Sequence, residues 1–153
     1  MKLRVLFLCT NNAVQSPLAE ALLNMVDSTH FETTSVGLQR GELHPLTIDV
    51  MKEIGIDLSG NRTKILRDVS QRDFDFVITL SERARSGCRE FKDAEVIHWQ
   101  FDDTSTSVDP LRLKRMFESL QDQILLRIRL FALVQVRFTG VDTSSHSISA
   151  VGK

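Results

Sequence analysis

Cysteine is scarce in this chain, with two in 153 residues, Cys9 and Cys88. That is too few for a disulfide framework, and neither sits in a zinc-binding pattern. A reduced, cytoplasmic setting is therefore expected. An excess of one charge is missing as well. Nineteen basic residues stand against 20 acidic ones, a formal net charge of -1, which argues against a broad nucleic-acid-binding surface. Long apolar runs are also absent. The run Val5-Leu6-Phe7-Leu8 stops at Thr10-Asn11-Asn12 with no small-residue cleavage site behind it, so no targeting leader is expected. Residues 124–138 are apolar but broken by Arg127, Arg129, Gln135 and Arg137, short of a membrane span. The expectation is a soluble protein with no membrane partner, no nucleic-acid partner, no metal and no other cofactor. There is no internal repeat.

What is present is ordinary globular composition, 42% hydrophobic and 25% charged. A chain of this length buries enough surface to hold one domain without a staple. Residues 1–138 carry the periodic patterns and form that domain. Residues 139–153, TGVDTSSHSISAVGK, are Ser/Thr-rich, without aromatic residues or periodicity, and read as a flexible tail.

Val5-Leu6-Phe7-Leu8 has the continuous apolar pattern of a strand buried on both faces. Ser16-Pro17 reads as an N-cap and a first helical proline, with Leu18, Ala21, Leu22 and Met25 at helical spacing up to about Val26. Residues 31–36 predict a second strand, closed by Gly37. Pro45 opens a helix whose Leu46, Val50, Met51 and Ile54 share a face, with Gly55 as its cap. A short helix fits residues 63–69. Residues 74–80 make the best strand pattern in the chain, and residues 95–99 a shorter one. Asp109-Pro110 starts the last helix, whose stripe is Leu113, Phe117, Leu120, Ile124, Ile128 and Phe131.

Strands alternate with helices throughout, which predicts a small three-layer α/β/α domain on a four-stranded parallel sheet. Ligands of such sheets bind beyond the carboxyl ends of the strands. That edge carries the loop of residues 9–15, Ser81, and the pair Asp102-Asp103. In the loop after the first strand, successive N–H groups and a helix N-terminus favour a tetrahedral oxyanion. They equally favour the thiolate form of a cysteine at its mouth. Taken alone, Cys9 is also readable as a small buried hydrophobe at a strand end.

The stretch VLFLCTNNAVQSPLAEALL resembles the signature of low-molecular-weight protein tyrosine phosphatases and of the arsenate reductases that share their fold. The blocks FETTSVG, HPLTIDVMKEIGIDLSGNRTK, FDFVITLSERA and IHWQFDD extend the resemblance over residues 3–135. It implies that Cys9 is the nucleophile and that Ser16 supplies a hydroxyl to its sulfur. It further implies that Asn12 shapes the loop and that Asp103, or its neighbour Asp102, protonates the leaving oxygen. The implied phosphate-binding segment is Thr10, Asn11, Asn12, Ala13, Val14 and Gln15. The implied reaction is phosphate-monoester hydrolysis through a phosphocysteine. The alternatives are arsenate reduction with an external thiol, or an oxyanion-binding protein with impaired catalysis. The partners are then phosphate, arsenate or a phosphorylated substrate, with a thiol reductant in the second case.

Three positions depart from the family pattern. Gln15 stands where the signature has arginine, replacing a charged planar fork with a neutral amide. Thr104 stands where a proline usually follows the acid and restrains it. Ser81 occupies the first of two relay-cysteine positions of the thioredoxin-coupled reductases, with Cys88 at the second, so a disulfide relay lacks its first member. Cys88 reads either as a redox thiol or as an inert helical one. Lys64 is expected near the loop, or simply exposed. Glu20 is expected in the first turn of the first helix as a dipole partner, and His44 as a turn residue. His98 and Trp99 lead into the acid loop, with Trp99 available for packing or for contact with a phenyl ring. Arg83, Arg85 and Arg89 form a basic cluster, either a plain solvated face or one that attracts anions.

Overall fold

The computed structural model describes residues 1–70, 72–88, 91, 93–101 and 108–139. Four strands, β1 (Leu3–Cys9), β2 (Phe31–Gly37), β3 (Phe76–Thr79) and β4 (Glu95–His98), form one sheet in the order β2-β1-β3-β4. All three pairings are parallel. Helices α1 (Gln15–Asp27), α2 (Pro45–Glu53), α3 (Glu82–Gly87) and α4 (Pro110–Thr139) connect and follow the strands, with a 3₁₀ turn at Leu66–Val69. The α/β class and the parallel four-stranded sheet agree with the sequence reading.

β1 is central, and its residues alternate between two cores. Val5, Phe7 and Cys9 face a cluster built with Leu18, Leu22, Met51, Phe117 and Ile124 from α1, α2 and α4. Leu6 and Leu8 face a smaller cluster with Val69, Val77, Ala84 and Phe91. Burial on both faces is why its apolar run is continuous rather than alternating. Gln121 and Lys114 tie α4 to α2, through Gln121 Nε2 to the Val50 carbonyl at 3.1 Å and Lys114 Nζ to Glu53 at 2.8 Å.

Several local expectations are corrected. Gln15, not Pro17, opens α1, and the flanking Val14 makes no side-chain cap. Ser16 is therefore inside the first turn, its hydroxyl committed to Cys9 instead of to the backbone. Pro17 is tolerated there because first-turn N–H groups have no intrahelical acceptor to lose. The same shift puts Glu20 in the second turn. Ile54 lies past the end of α2 and is exposed, so the buried face of that helix is Thr47, Val50 and Met51. Gly55, at φ 88°, does follow the helix end. β3 is shorter than its pattern, because Phe74 leaves the strand to pack edge-on against Phe91, with Arg72 over its ring. α4 continues through Thr139, one residue beyond the expected domain end, and residues 140–153 lie outside the described part of the chain.

Among the described residues, no helix is long and apolar enough to cross a membrane, and no group of three or more His, Cys, Asp or Glu side chains could hold a metal ion.

Candidate active site

In this strand order the chain leaves β1 toward β2 and later returns to β3 on its other side. The crevice between the carboxyl ends of β1 and β3 is thus the switch point. Cys9 ends β1 there. The loop behind it runs straight into α1, and its shape is imposed from outside. Leu38 N–H and Gln39 N–H donate to the carbonyls of Cys9 and Thr10, both at 3.0 Å. His44 N–H and Thr47 Oγ1 donate to the carbonyl of Ala13 at 3.0 and 3.1 Å. The carbonyls of Cys9, Thr10 and Ala13 are thereby occupied. Among the described residues, the N–H groups of Ala13, Val14, Gln15 and Ser16 have no acceptor. Four free donors beside a helix N-terminus are the kind of cradle that suits an anion.

The Cys9 sulfur is buried and hydrogen-bonded on two sides. Asn12 N–H donates to Sγ at 3.2 Å, and Ser16 Oγ lies 2.8 Å from it. The Asn12 side-chain amide donates to Ser16 Oγ at 2.8 Å. That fills one of the oxygen's two lone pairs and leaves the hydroxyl hydrogen free to point at the sulfur. Asn12 is itself buried, and its φ of 56° is the only positive value among the described non-glycine residues. Asparagine tolerates that left-handed conformation better than most residues. Its amide also donates to Ser35 Oγ at 3.1 Å and accepts from Lys64 N–H at 2.9 Å. Ser35 Oγ in turn donates to the Glu20 carboxylate, which lies 3.8 Å from Lys64 Nζ. Glu20 and Lys64 are thus a pair supporting the loop from behind, rather than a dipole partner and a free surface lysine.

On the other side of the crevice, Thr10 Oγ1 donates to Ser81 Oγ at 3.0 Å. Ser81 caps α3 by accepting from Ala84 N–H at 3.1 Å. The residue expected at a relay-cysteine position is therefore in direct contact with the loop. Cys88 closes the far end of α3, half-buried, with its thiol donating to the Arg85 carbonyl. Gln15 is half-buried, and its side chain has no hydrogen-bond partner among the described residues. Trp99 is buried against Phe7, Phe101 and Phe131, so it packs the core and is not available for stacking on a substrate. His44 caps α2 by accepting from Leu46 N–H. His98 Nδ1 lies 2.7 Å from Thr79 Oγ1. Arg83 and Arg85 are exposed on α3, while Arg89, Asp102, Asp103 and Thr104 lie outside the described residues.

Four contributors escaped the sequence reading: Ser35, Thr47, Gly37 and Gly41. Their only local signal is small or polar character where β2 ends and α2 begins. A Cβ on Gly37 would lie 2.7 Å from both the Asn11 carbonyl carbon and the Asn12 nitrogen. One on Gly41 would lie 2.8 Å from the Asn11 carbonyl oxygen. Both obstacles at Gly37 are backbone, so Gly37→Ala must displace the loop. We expect it to cost about 1–3 kcal/mol in urea denaturation; phosphate or arsenate is expected to raise the melting temperature of the unaltered protein but not that of the variant. An unaltered ligand-induced shift would contradict this reading.

The model of the family described as low molecular weight phosphotyrosine protein phosphatase matches residues 4–133. An arsenate reductase of Shouchella clausii is 32% identical over 131 residues, covering 84% of this chain and 94% of that one. A glutaredoxin arsenate reductase of Synechocystis is 31% identical over 101 residues, covering 65% of this chain and 77% of the relative. A solved structure described as an arsenate reductase in the phosphate binding state superimposes with a TM-score of 0.72 at 27% identity, covering 86% of this chain and 96% of the other. Nearly the whole described domain, including the cysteine loop, lies within the matched span, and the chain belongs to the low molecular weight phosphotyrosine protein phosphatase family.

Proposed function

We propose that this protein reduces arsenate, with Cys9 as nucleophile and an external thiol as reductant. The observation that carries the reading is the Cys9 sulfur, hydrogen-bonded by Asn12 and Ser16, beside four loop N–H groups without acceptors. Relatives that cover most of the chain and bear the name arsenate reductase support arsenate over a phosphate ester as substrate. The Cys9 thiolate attacks arsenic and displaces water, with the N–H groups of residues 13–16 holding the remaining oxygens. A thiol then attacks the Cys9 sulfur, the As–S electron pair leaves with arsenic as arsenite, and a mixed disulfide remains. A second thiol frees Cys9. Arsenate and two thiols thus become arsenite, one disulfide and one water.

In this scheme Asp103, or Asp102, protonates the departing oxygen, and Thr10, Asn11 and Asn12 shape the cradle. Ser81 cannot relay electrons, so the incoming thiol reaches Cys9 itself or passes through Cys88. The chemistry requires reduced thiols, which suits the cytoplasm. We assign it to the domain that ends with α4 at Thr139. Ser81 favours a second reading, hydrolysis of phosphate monoesters through a phosphocysteine.

The deciding experiment supplies arsenate with glutathione and glutaredoxin, or with thioredoxin, and separately an aryl phosphate between pH 5 and 7. Each assay is run beside Cys9→Ser. Thiol-dependent arsenite formation lost in Cys9→Ser is expected. Phosphate release without arsenite formation would replace this reading by the second. No turnover of either kind above the variant would leave a protein that binds oxyanions only.

A further inference from the structure

The solvent side of α4 is unusual for a surface helix. Leu126, Leu130, Leu133 and Val134 are 63%, 52%, 61% and 44% exposed. They lie opposite the buried stripe of Phe117, Leu120, Ile124, Ile128 and Phe131. At 100° per residue they form one band along nine residues of helix. The domain core is complete without them, since α4 already buries its other face.

Two residue pairs on this helix are symmetric about one point. Leu126 and Leu133 are equally far from the Arg129–Leu130 peptide, and so are Asp122 and Arg137. Asp122 and Arg137 are both exposed, and neither has an ion partner among the described residues. A two-fold axis through that midpoint would lay two copies of α4 antiparallel. Leu126 would then meet Leu133 of the second copy, the two Leu130 side chains would flank the axis, and each Asp122 would oppose an Arg137. This is the self-complementarity that an isologous contact requires. Arg129 lies at one edge of the band. Arg127 lies at the other, its guanidinium 5.5 Å above the Trp99 ring of its own chain. Both can remain in water.

We infer that the exposed face of α4 is a homodimer interface, closed by an Asp122–Arg137 pair at each end. The contact is a single pair of helices, small against the area of a permanent dimer, so the association is reversible and concentration-dependent. It stands independently of the chemistry at Cys9.

The test is sedimentation velocity of the full chain from roughly 1 µM to 1 mM. The sedimentation coefficient should rise with concentration from monomer toward dimer. Leu130→Asp puts two carboxylates beside the axis and should raise the dissociation constant by about 30-fold or more, with the helical circular dichroism unchanged. Asp122→Arg and Arg137→Asp should each weaken the dimer by roughly fivefold, and the double variant should restore it to within about twofold. A dimer indifferent to Leu130→Asp would overturn the inference, because it would use another face. A monomer at every concentration would overturn it too, whether residues 140–153 cover the band or vesicles of anionic phospholipid bind it.

Discussion

Gln15→Arg should raise kcat/KM for arsenate, and for an aryl phosphate if the protein hydrolyses one, by about 10²–10³-fold. The cradle of residues 13–16 offers N–H dipoles, but the loop itself contributes no full positive charge. Arginine at residue 15 would add a permanently charged fork able to hold two oxyanion oxygens as charge develops on them. Gln15 has room for this, being half-buried with no side-chain partner among the described residues. Gln15→Lys supplies the charge without the fork and should recover only part of the gain. Initial rates of the three proteins with saturating thiol, together with inhibition by inorganic phosphate, measure the effect. Equal rates for unaltered protein and Gln15→Arg would mean that another cation already faces the oxyanion. A gain confined to Gln15→Arg would mean that the scaffold is competent and that its natural chemistry has been set low at this one residue.

The second large effect is expected at Asn12. Its amide makes three side-chain hydrogen bonds, to Ser16, Ser35 and the Lys64 N–H, and its backbone makes a fourth to the Cys9 sulfur. Asn12→Ala removes the first three, leaves the half-buried N–H of Lys64 without its acceptor, and places a Cβ-bearing residue without a local hydrogen bond at φ 56°. A loss of about 3 kcal/mol in stability is expected, with turnover falling because Ser16 loses the donor that orients its hydroxyl. Asn12→Gly separates the two causes. Glycine adopts that φ freely, so it should recover about 1 kcal/mol of stability while remaining as inactive as alanine. Urea denaturation midpoints and rates on the same preparations make the comparison. If glycine restored activity, the backbone conformation rather than the amide network would be what the site requires.

The legible parts of this molecule are those written in consecutive residues. The four apolar residues Val5 to Leu8 of β1, the stripe of α4 and the Pro45 start of α2 follow from pattern alone, because burial on a regular element imposes a period. Ser16 shows where such reading fails. Serine before proline is a fair N-cap in isolation, yet the buried sulfur seven residues earlier has the stronger demand on its hydroxyl. The strand order and the contributions of Ser35, Thr47, Gly37 and Gly41 had no local signature. They act on the loop from segments that approach it only after the sheet has assembled. The roles expected for Cys9, Asn12 and Ser16 came from family resemblance, and the structure brings these three side chains into contact. Asp102 and Asp103 stand apart, since their segment lies outside the described residues.

The loop that holds Cys9 is local in sequence, but its restraints are not. Asn12 bonds to a side chain 23 residues away and to a backbone group 52 residues away, while Thr10 bonds 71 residues away. Each restraint requires a separate chain closure, with its own entropy cost, before the cradle has a shape. No early hairpin or isolated helix of this protein can therefore hold an oxyanion. Competence is acquired late in folding and as a whole, so in a nascent or partly unfolded chain Cys9 stands without the loop and its hydrogen bonds around it.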